Sequence, residues 1–375
     1  MFGVARALLI GSMASLAVST ASFAIEPQAP DHLMTAEEAT VILARQHLQE
    51  MKQSAAKDTV SDYAALAMYY ANYDGPPLWI GGGGLSDKAK LLIAEIAQAD
   101  QWGLEAEKFR LPDLANNAST DELVDAEVTL SLAILKYARY ARGGRMVPKN
   151  LSFAIDRTPE FEKPDAVLNA LRMTDDPAAY LRGLHPQHDQ FTKLRQAYLK
   201  ALSDEQQVKP KAKNATKAKI KLSQRILYNV EMWRWMPREL GQKYVWSNIP
   251  EFKVQVVHDG RIVHDERIVA GKIRNKTPIF SDEMETIVFH PFWGVPNSIK
   301  VKEILPSLVR GGDILKRQNL RISYGGREID PSSVDWSQKD IRNFHVFQPP
   351  GRGNALGLVK SVSYTHLTLP TTSRV

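Results

Sequence analysis

His185 and His188 lie three residues apart and beside Asp189, a spacing that can bring two imidazoles to one metal ion. A metal pair needs a third ligand and an open position. These two flank Pro186 in a polar connection, so they read as solvated loop histidines. His258 and His264 stand on either side of Asp259-Gly260 and read as surface residues of a strand pair. His290 sits between Phe289 and Pro291 and is followed by Phe292 and Trp293. It is either a buried, hydrogen-bonded histidine or a member of a cleft, and the first is the expectation. His290, Phe292 and Trp293 are the candidates for a substrate cleft. No Ser or carboxylate is spaced to complete a triad with any of these histidines. The four glycines at 81–84 lack a following Lys-Ser/Thr and are no phosphate loop. Trp233, Trp235 and Trp246 suggest a sugar-stacking platform, but residues two apart on a helix point different ways, so core and domain-contact roles are expected. The chain contains no cysteine. That removes disulfides, thiolate metal sites and a thiol nucleophile. No catalytic residue, metal site or cofactor is assigned from these signals.

The elements that would position such residues fall into two regions. Over residues 35–202 the apolar pattern is helical. Thr35 and Glu38 form a capping box, after which Val41, Ala44, Leu48 and Met51 share a face. Ala89, Leu92, Ile96 and Ala99 make a stripe that stops near Gly103. Ser119 and Glu122 cap a helix with Leu123, Leu130, Ile134 and Tyr137 inside and Gly143-Gly144 at its end. Asp176-Pro177 opens a short helix, and Phe191, Leu194, Tyr198 and Ala201 mark another. Residues 203–221 are Lys-rich and too polar to bury, which predicts a linker. A helix over 223–235 follows, within a connection spanning 222–242. Then the period turns strand-like: residues 244–249, 251–257 and 262–269, the last two joined by the hairpin turn Asp259-Gly260. Gly271 begins a loop closing on Thr277-Pro278. Residues 286–289 form a strand, 298–309 a helix that Pro306 ends or kinks, and 335–343 a loop. The fold class is α+β, a helical domain followed by a mainly β one.

The 375 residues leave room for both domains. The net charge is +6, with much of the excess in the Lys-rich segment. No basic stripe with interleaved aromatics occurs, so nucleic acid is not an expected partner. Arg6, the apolar run 7–18 and the small residues Ser22 and Ala24 predict a signal peptide over 1–24, with an uncleaved anchor as the competing reading. Either way the bulk of the protein is expected outside the inner membrane, in the periplasm.

Several strings resemble the YcbB-type branch of L,D-transpeptidases, whose catalytic domain has the YkuD fold. They run in order: Asn229 to Trp235, NVEMWRW; 244–252, YVWSNIPEF; Gly271-Lys272 with 277–281, TPIFS; 290–296, HPFWGVP, with 302–306, KEILP; Val334-Asp335-Trp336; and 348–351, QPPG, with 354–357, NALG. Upstream, Pro77-Leu78-Trp79, Trp102-Gly103-Leu104 and 140–145, YARGGR, look like the scaffold domain of the same branch. The Lys-rich linker stands where many relatives carry a small peptidoglycan-binding domain. The resemblance implies an enzyme acting on peptidoglycan stem peptides without a cofactor. A cysteine thiolate attacks the carbonyl of a diaminopimelate residue, expels D-alanine and passes the acyl group to an amine of a neighbouring stem. Carbapenems are expected ligands of a complete relative, and other cell-wall synthesis proteins are possible partners.

The family's Ser-His-Gly-Cys-x-Arg motif follows the stretch that ends here at Lys360, and it is absent. Residues 243–360 are therefore expected to be a partial catalytic domain and 361–375 a non-native tail, since 362–371 resembles a translated sequencing adapter; a divergent natural strand is the alternative. The chain is expected to be inactive, its β half left with an unpaired edge and an uncovered apolar face, and its scaffold able to fold alone. A wall-binding or scaffolding protein with a degenerate fold is the other functional reading.

Overall fold

The computed structural model describes residues 35–51, 60–115, 118–207, 220–273 and 276–362. The expected signal peptide, most of the linker and residues 363–375 of the expected tail lie outside them.

In the helical region, α1 (Ala36–Met51) and α2 (Val60–Ala71) precede a two-stranded ribbon of β1 (Ile80–Gly81) and β2 (Gly84–Leu85). Then come α3 (Asp87–Ala97), α4 (Thr120–Gly143), α5 (Pro148–Leu151), α6 (Pro164–Met173), α7 (Pro177–Gly183) and α8 (Asp189–Gln207). The capping signals act as expected. Ser119 and Glu122 form a reciprocal box at the start of α4, and the Asp176 side chain accepts from the Ala179 N–H at the start of α7. Val41, Ala44 and Leu48 are buried, as are Ala89, Leu92, Ile96 and Ala99.

The long helix α4 is the axis of this domain, buried at Leu130, Ile134 and Tyr137. It also carries a fully buried carboxylate, Glu127. Its oxygens accept from the Tyr70 hydroxyl at 2.5 Å and from the backbone N–H groups of Leu78 and Trp79 at 2.5 and 2.9 Å. One turn on, Ser131 Oγ accepts from Trp79 Nε1 at 2.7 Å. The Pro77-Leu78-Trp79 string is thus held by α4, and the polar groups buried with it are satisfied. Burial pushes the Glu127 carboxyl up and the Tyr70 hydroxyl well up.

The structure moves the expected linker boundary. α8 continues to Gln207, five residues past Leu202. The extension is supported by a Lys200–Asp204 ion pair at 3.2 Å and by Glu205, which accepts from Ser223 N and Oγ at 2.9 and 2.7 Å. α9 (Leu222–Trp233) packs on α8 through Tyr198 and Val230. It ends well before residue 242. Gly144, at φ +82°, sits so close to Glu231 Oε1 and Trp235 Nε1 that an added Cβ would lie 2.7 and 2.8 Å from them. Glycine is favoured there, which accounts for the second glycine of the YARGGR string.

The C-terminal region contains three separate sheets. β3 (Lys243–Asn248), β4 (Lys253–His258) and β5 (Arg261–Arg267) form an antiparallel meander. Its β4–β5 turn places Asp259 at φ +49° and Gly260 at +72°, the tight hairpin geometry that Asp-Gly favours. β6 (Thr286–Phe289) pairs with β11 (Val359–Val362), so Ser361 and Val362 belong to a strand. β7 (Trp293–Gly294), β8 (Arg321–Tyr324), β9 (Arg327–Glu328) and β10 (His345–Gln348) form a sheet in the order β7-β10-β8-β9. Between β7 and β8 run α10 (Asn297–Ile299), a π-helical stretch Lys300–Ile304, α11 (Leu305–Val309) and α12 (Ile314–Arg317). Pro306 has no N–H for the carbonyl four residues back, and the helix widens to π geometry ahead of it rather than ending. The four-stranded sheet and these helices enclose a core of Val295, Ile304, Ile322, Trp336, Ile341 and Val346, among others.

The regions touch through a short parallel bridge. Asp156 N donates to Ile279 O at 2.8 Å and Ile279 N to Ala154 O at 2.7 Å. Trp233 stacks on Trp246 with centroids 5.6 Å apart. The three tryptophans do take core and contact roles, Trp235 being buried.

Candidate functional site

The three cleft candidates follow one another at the start of β7 but face different surroundings. His290 is exposed, which corrects the expectation of a buried, hydrogen-bonded imidazole. Its backbone is in the left-handed region at φ +51°, and its N–H donates to Leu358 O at 2.8 Å. The residue therefore serves as the corner where β6 turns toward β7, and the corner projects its ring outward. Phe292 is 63% exposed. Trp293 is half-buried and packs on the small C-terminal core.

Phe292 meets Phe347 of β10 with centroids 6.0 Å apart, and His345 stacks on Phe347 at 5.1 Å. His345 and Phe347 are two apart on one strand and so share a face, while Val346 and Gln348 point into the core. That alternation was readable in the sequence, yet neither residue was singled out there. The result is a shelf of Phe292, Phe347 and His345 beside the bare backbone of Gly294, which pairs with Phe347. The shelf is braced from behind by Asn354. Its Nδ2 donates to the carbonyls of Pro291, Pro349 and Gln348 at 2.9, 2.9 and 3.3 Å. Gln348 in turn donates to Gln318 O at 2.6 Å and accepts from Ala355 N at 2.7 Å. The QPPG and NALG strings are thus two halves of one buried polar clamp.

Chemically the shelf can hold an apolar or aliphatic group against its rings. It brings no nucleophile and base within hydrogen-bond reach, so it offers binding and no covalent step by itself. Lys300 is buried beside it, with Nζ donating to Phe344 O at 2.8 Å. Burial lowers its pKa, and its work is to tie down the segment leading into β10.

The remaining histidines divide. His258 and His264 are exposed, as expected. His185 is not a solvated loop residue: it is 2% exposed, stacked on Trp102 at 4.2 Å, and its Nε2 meets the Tyr137 hydroxyl at 3.0 Å. Burial, then the charges of Arg234 and Arg195, hold its pKa well below the ordinary imidazole range. His188 is half-buried against Trp233, with both ring nitrogens shielded. Both were misjudged because the aromatic residues that cover them come from distant segments.

The sequence pattern of the scaffold-domain family matches residues 64–197, and that of the L,D-transpeptidase catalytic domain, YkuD, matches residues 242–366. The chain has the scaffold-then-YkuD architecture of the YcbB-type L,D-transpeptidases. It is also similar to a Haemophilus influenzae protein named "Putative L,D-transpeptidase", 24% identical over 140 residues. That stretch takes in 37% of this chain and 28% of the relative, so the chain spans under a third of the length of the relative it matches. The meander, the His290 corner and the shelf all belong to the YkuD domain, and the Glu127 network belongs to the scaffold domain. No helix among the described residues is long and apolar enough to cross a membrane.

Proposed function

We propose that this protein belongs to peptidoglycan L,D-transpeptidation in the periplasm, with the stem peptides of the wall as its substrate class. The ordered pair of a scaffold domain and a YkuD domain supports the reading above all. In that reaction a cysteine thiolate attacks the carbonyl of a diaminopimelate residue and the terminal D-alanine leaves. The acyl group then moves from sulfur to an amine on a second stem, which restores the thiol. The shelf of Phe292, Phe347 and His345, with Gly294 at its floor, is the surface along which the stem would lie.

The chain holds no cysteine. We therefore propose that the chain as it stands binds wall material without forming the acyl-enzyme, because a hydroxyl or imidazole does not replace a low-pKa thiolate without matched surroundings. The same fact favours the second reading, a wall-binding or scaffolding protein on a transpeptidase fold. Two assays on the purified chain test this. Incubation with a carbapenem followed by intact-mass measurement is expected to show the unmodified mass, and a stoichiometric adduct overturns the inactivity. Co-sedimentation with isolated sacculi is expected to retain the chain, with Phe347→Ser weakening retention several-fold. A chain that stays in the supernatant overturns the wall assignment.

A further inference from the structure

The YkuD domain does not account for a pocket on the scaffold domain. It lies between the Trp102 turn, α7 and the first turns of α8, and has a volume of about 260 Å³. Trp102, Arg182, Pro186, Gln187, Phe191 and Arg195 line it. The volume is below that of drug-sized sites, so a ligand of one or two residues is the scale it suits.

Its two cations differ. Arg182 is matched: its NH1 lies 2.7 Å from Glu95 Oε2, and its NH2 4.0 Å from Asp176. Arg195 has no carboxylate within ion-pair distance among the described residues. Its Nε donates to Gln101 O at 2.8 Å, and its guanidinium lies over the Trp102 ring 3.9 Å from the centroid. Trp102 is itself fixed, with His185 stacked on its ring at 4.2 Å and its Nε1 donating to Glu95 at 3.3 Å. The free cation is therefore held on a rigid support, half-buried, with its terminal nitrogens left for a ligand. Burial presses down on the Arg195 pKa, which marks a charge short of solvent and without a full counter-charge.

We propose that this pocket binds the terminal carboxylate of a short peptide, with Arg195 as the anchoring cation. One unmatched guanidinium suits one negative charge, and its fork presents two N–H groups to the two carboxylate oxygens. A phosphate dianion would bring two charges to a pocket whose other cation, Arg182, is already matched by Glu95 and Asp176. Phe191, Pro186 and the edge of Trp102 form an apolar wall for the terminal side chain. The Gln187 amide nitrogen is occupied by the carbonyl of His185 at 2.7 Å, which leaves its oxygen to accept a peptide N–H. The inference concerns the scaffold domain alone and does not depend on the transpeptidase reading.

Titration calorimetry of the full chain tests it with three probes: N-acetyl-dialanine, the same peptide as its C-terminal amide, and sodium sulfate. The acid is expected to bind with saturation and the amide at least tenfold more weakly. Arg195→Gln is expected to weaken the acid at least tenfold and Arg195→Lys by less, with circular dichroism confirming that each variant is folded. If Arg195→Gln does not fold, Gln187→Leu at the exposed mouth is the substitute and should weaken binding about threefold. The proposal is overturned if the folded chain gives no saturable heat with the acid, if the amide binds as well, or if the folded Arg195→Gln variant, or its substitute, binds unchanged. Sulfate binding as tightly as the peptide would mean a simple oxyanion site and would overturn the peptide assignment.

Discussion

The scaffold domain and the YkuD domain spend their apolar residues differently. In the scaffold, twenty-six buried residues form one continuous cluster around α4. In the YkuD domain the largest buried cluster has ten, all supplied by the four-stranded sheet and the segments packed on it. The β3–β4–β5 meander adds Val257 as its only buried apolar residue, and the β6–β11 ribbon adds none among the described residues. All seven residues of β5 and all four of β6 are exposed, with Phe289 at 70% and Val263 at 58%. Both sheets carry regular antiparallel ladders between their neighbouring strands, apart from a register shift at Val256-Val257. A good ladder is therefore not the same as a stable sheet: without burial of a face, net hydrogen-bond free energy alone does not offset the entropy of ordering the strands. β5 also presents a backbone edge that pairs with no further strand among the described residues, an invitation to association that its Arg261, Asp265, Glu266 and Arg267 counter.

The sharpest way to break this contrast is amide hydrogen exchange on the intact chain. Amides in the middle of α4 are expected to exchange at least about 10³-fold more slowly than those of β5 and β6, corresponding to about 4 kcal/mol in opening free energy. Comparable protection in both places would mean that the strands are held by something other than their own ladder. Within the scaffold, Glu127→Leu should be the most damaging single change. It leaves the Tyr70 hydroxyl and the N–H groups of Leu78 and Trp79 buried without acceptors, a loss of about 3–5 kcal/mol. A denaturant titration followed by helical circular dichroism would read it, and a loss below 1 kcal/mol would show that water reaches these groups.

A paired substitution separates the two kinds of sheet inside the YkuD domain. Ile341 is fully buried in the small core, so Ile341→Ala is expected to lower that unit's stability by about 2–4 kcal/mol. Val263 is exposed on β5, and Val263→Ala should change stability by less than about 0.5 kcal/mol. The readout is amide exchange, followed in β8 and β10 for Ile341→Ala and in β4 and β5 for Val263→Ala. Equal effects would refute the division.

What the sequence revealed follows the same division. Local signals carried far: the α4 capping box, the Asp176-Pro177 start and the Asp259-Gly260 turn are each decided by neighbours in the chain, and each is where the pattern put it. The architecture was legible through ordered family strings. Burial set by distant segments was not. His185 sits in a polar stretch of sequence and is covered by Trp102 and Tyr137. β8 and β9 went unread although Gly325-Gly326 between them is a good hairpin turn, because each strand is only four or two residues long. His290 was expected inside because its neighbours are apolar, but Phe289 and Phe292 are themselves exposed.

The smallest effect tests whether the scaffold's advantage depends on pH. An unfolded imidazole takes up a proton near pH 6.5. In the fold His185 stays neutral well below that, held so by burial and by Arg234 and Arg195. His188 is lowered in the same direction, by burial and then by Arg142. Below about pH 6.5 the unfolded chain therefore binds protons that the native scaffold does not, and mass action favours unfolding. The His185 contribution is fully present above that pH and falls away as the pH drops toward the depressed native value. The scaffold's Tm should thus fall between pH 7 and pH 5. His185→Gln keeps a polar partner for the Tyr137 hydroxyl and removes the titration, so its slope should be shallower, with His188→Gln flattening it by less because that ring is half-exposed. A wild-type slope unchanged by His185→Gln would place the acid sensitivity outside this imidazole; Glu127 would not supply it, because a carboxyl raised by burial takes up its proton more readily in the fold and opposes acid unfolding.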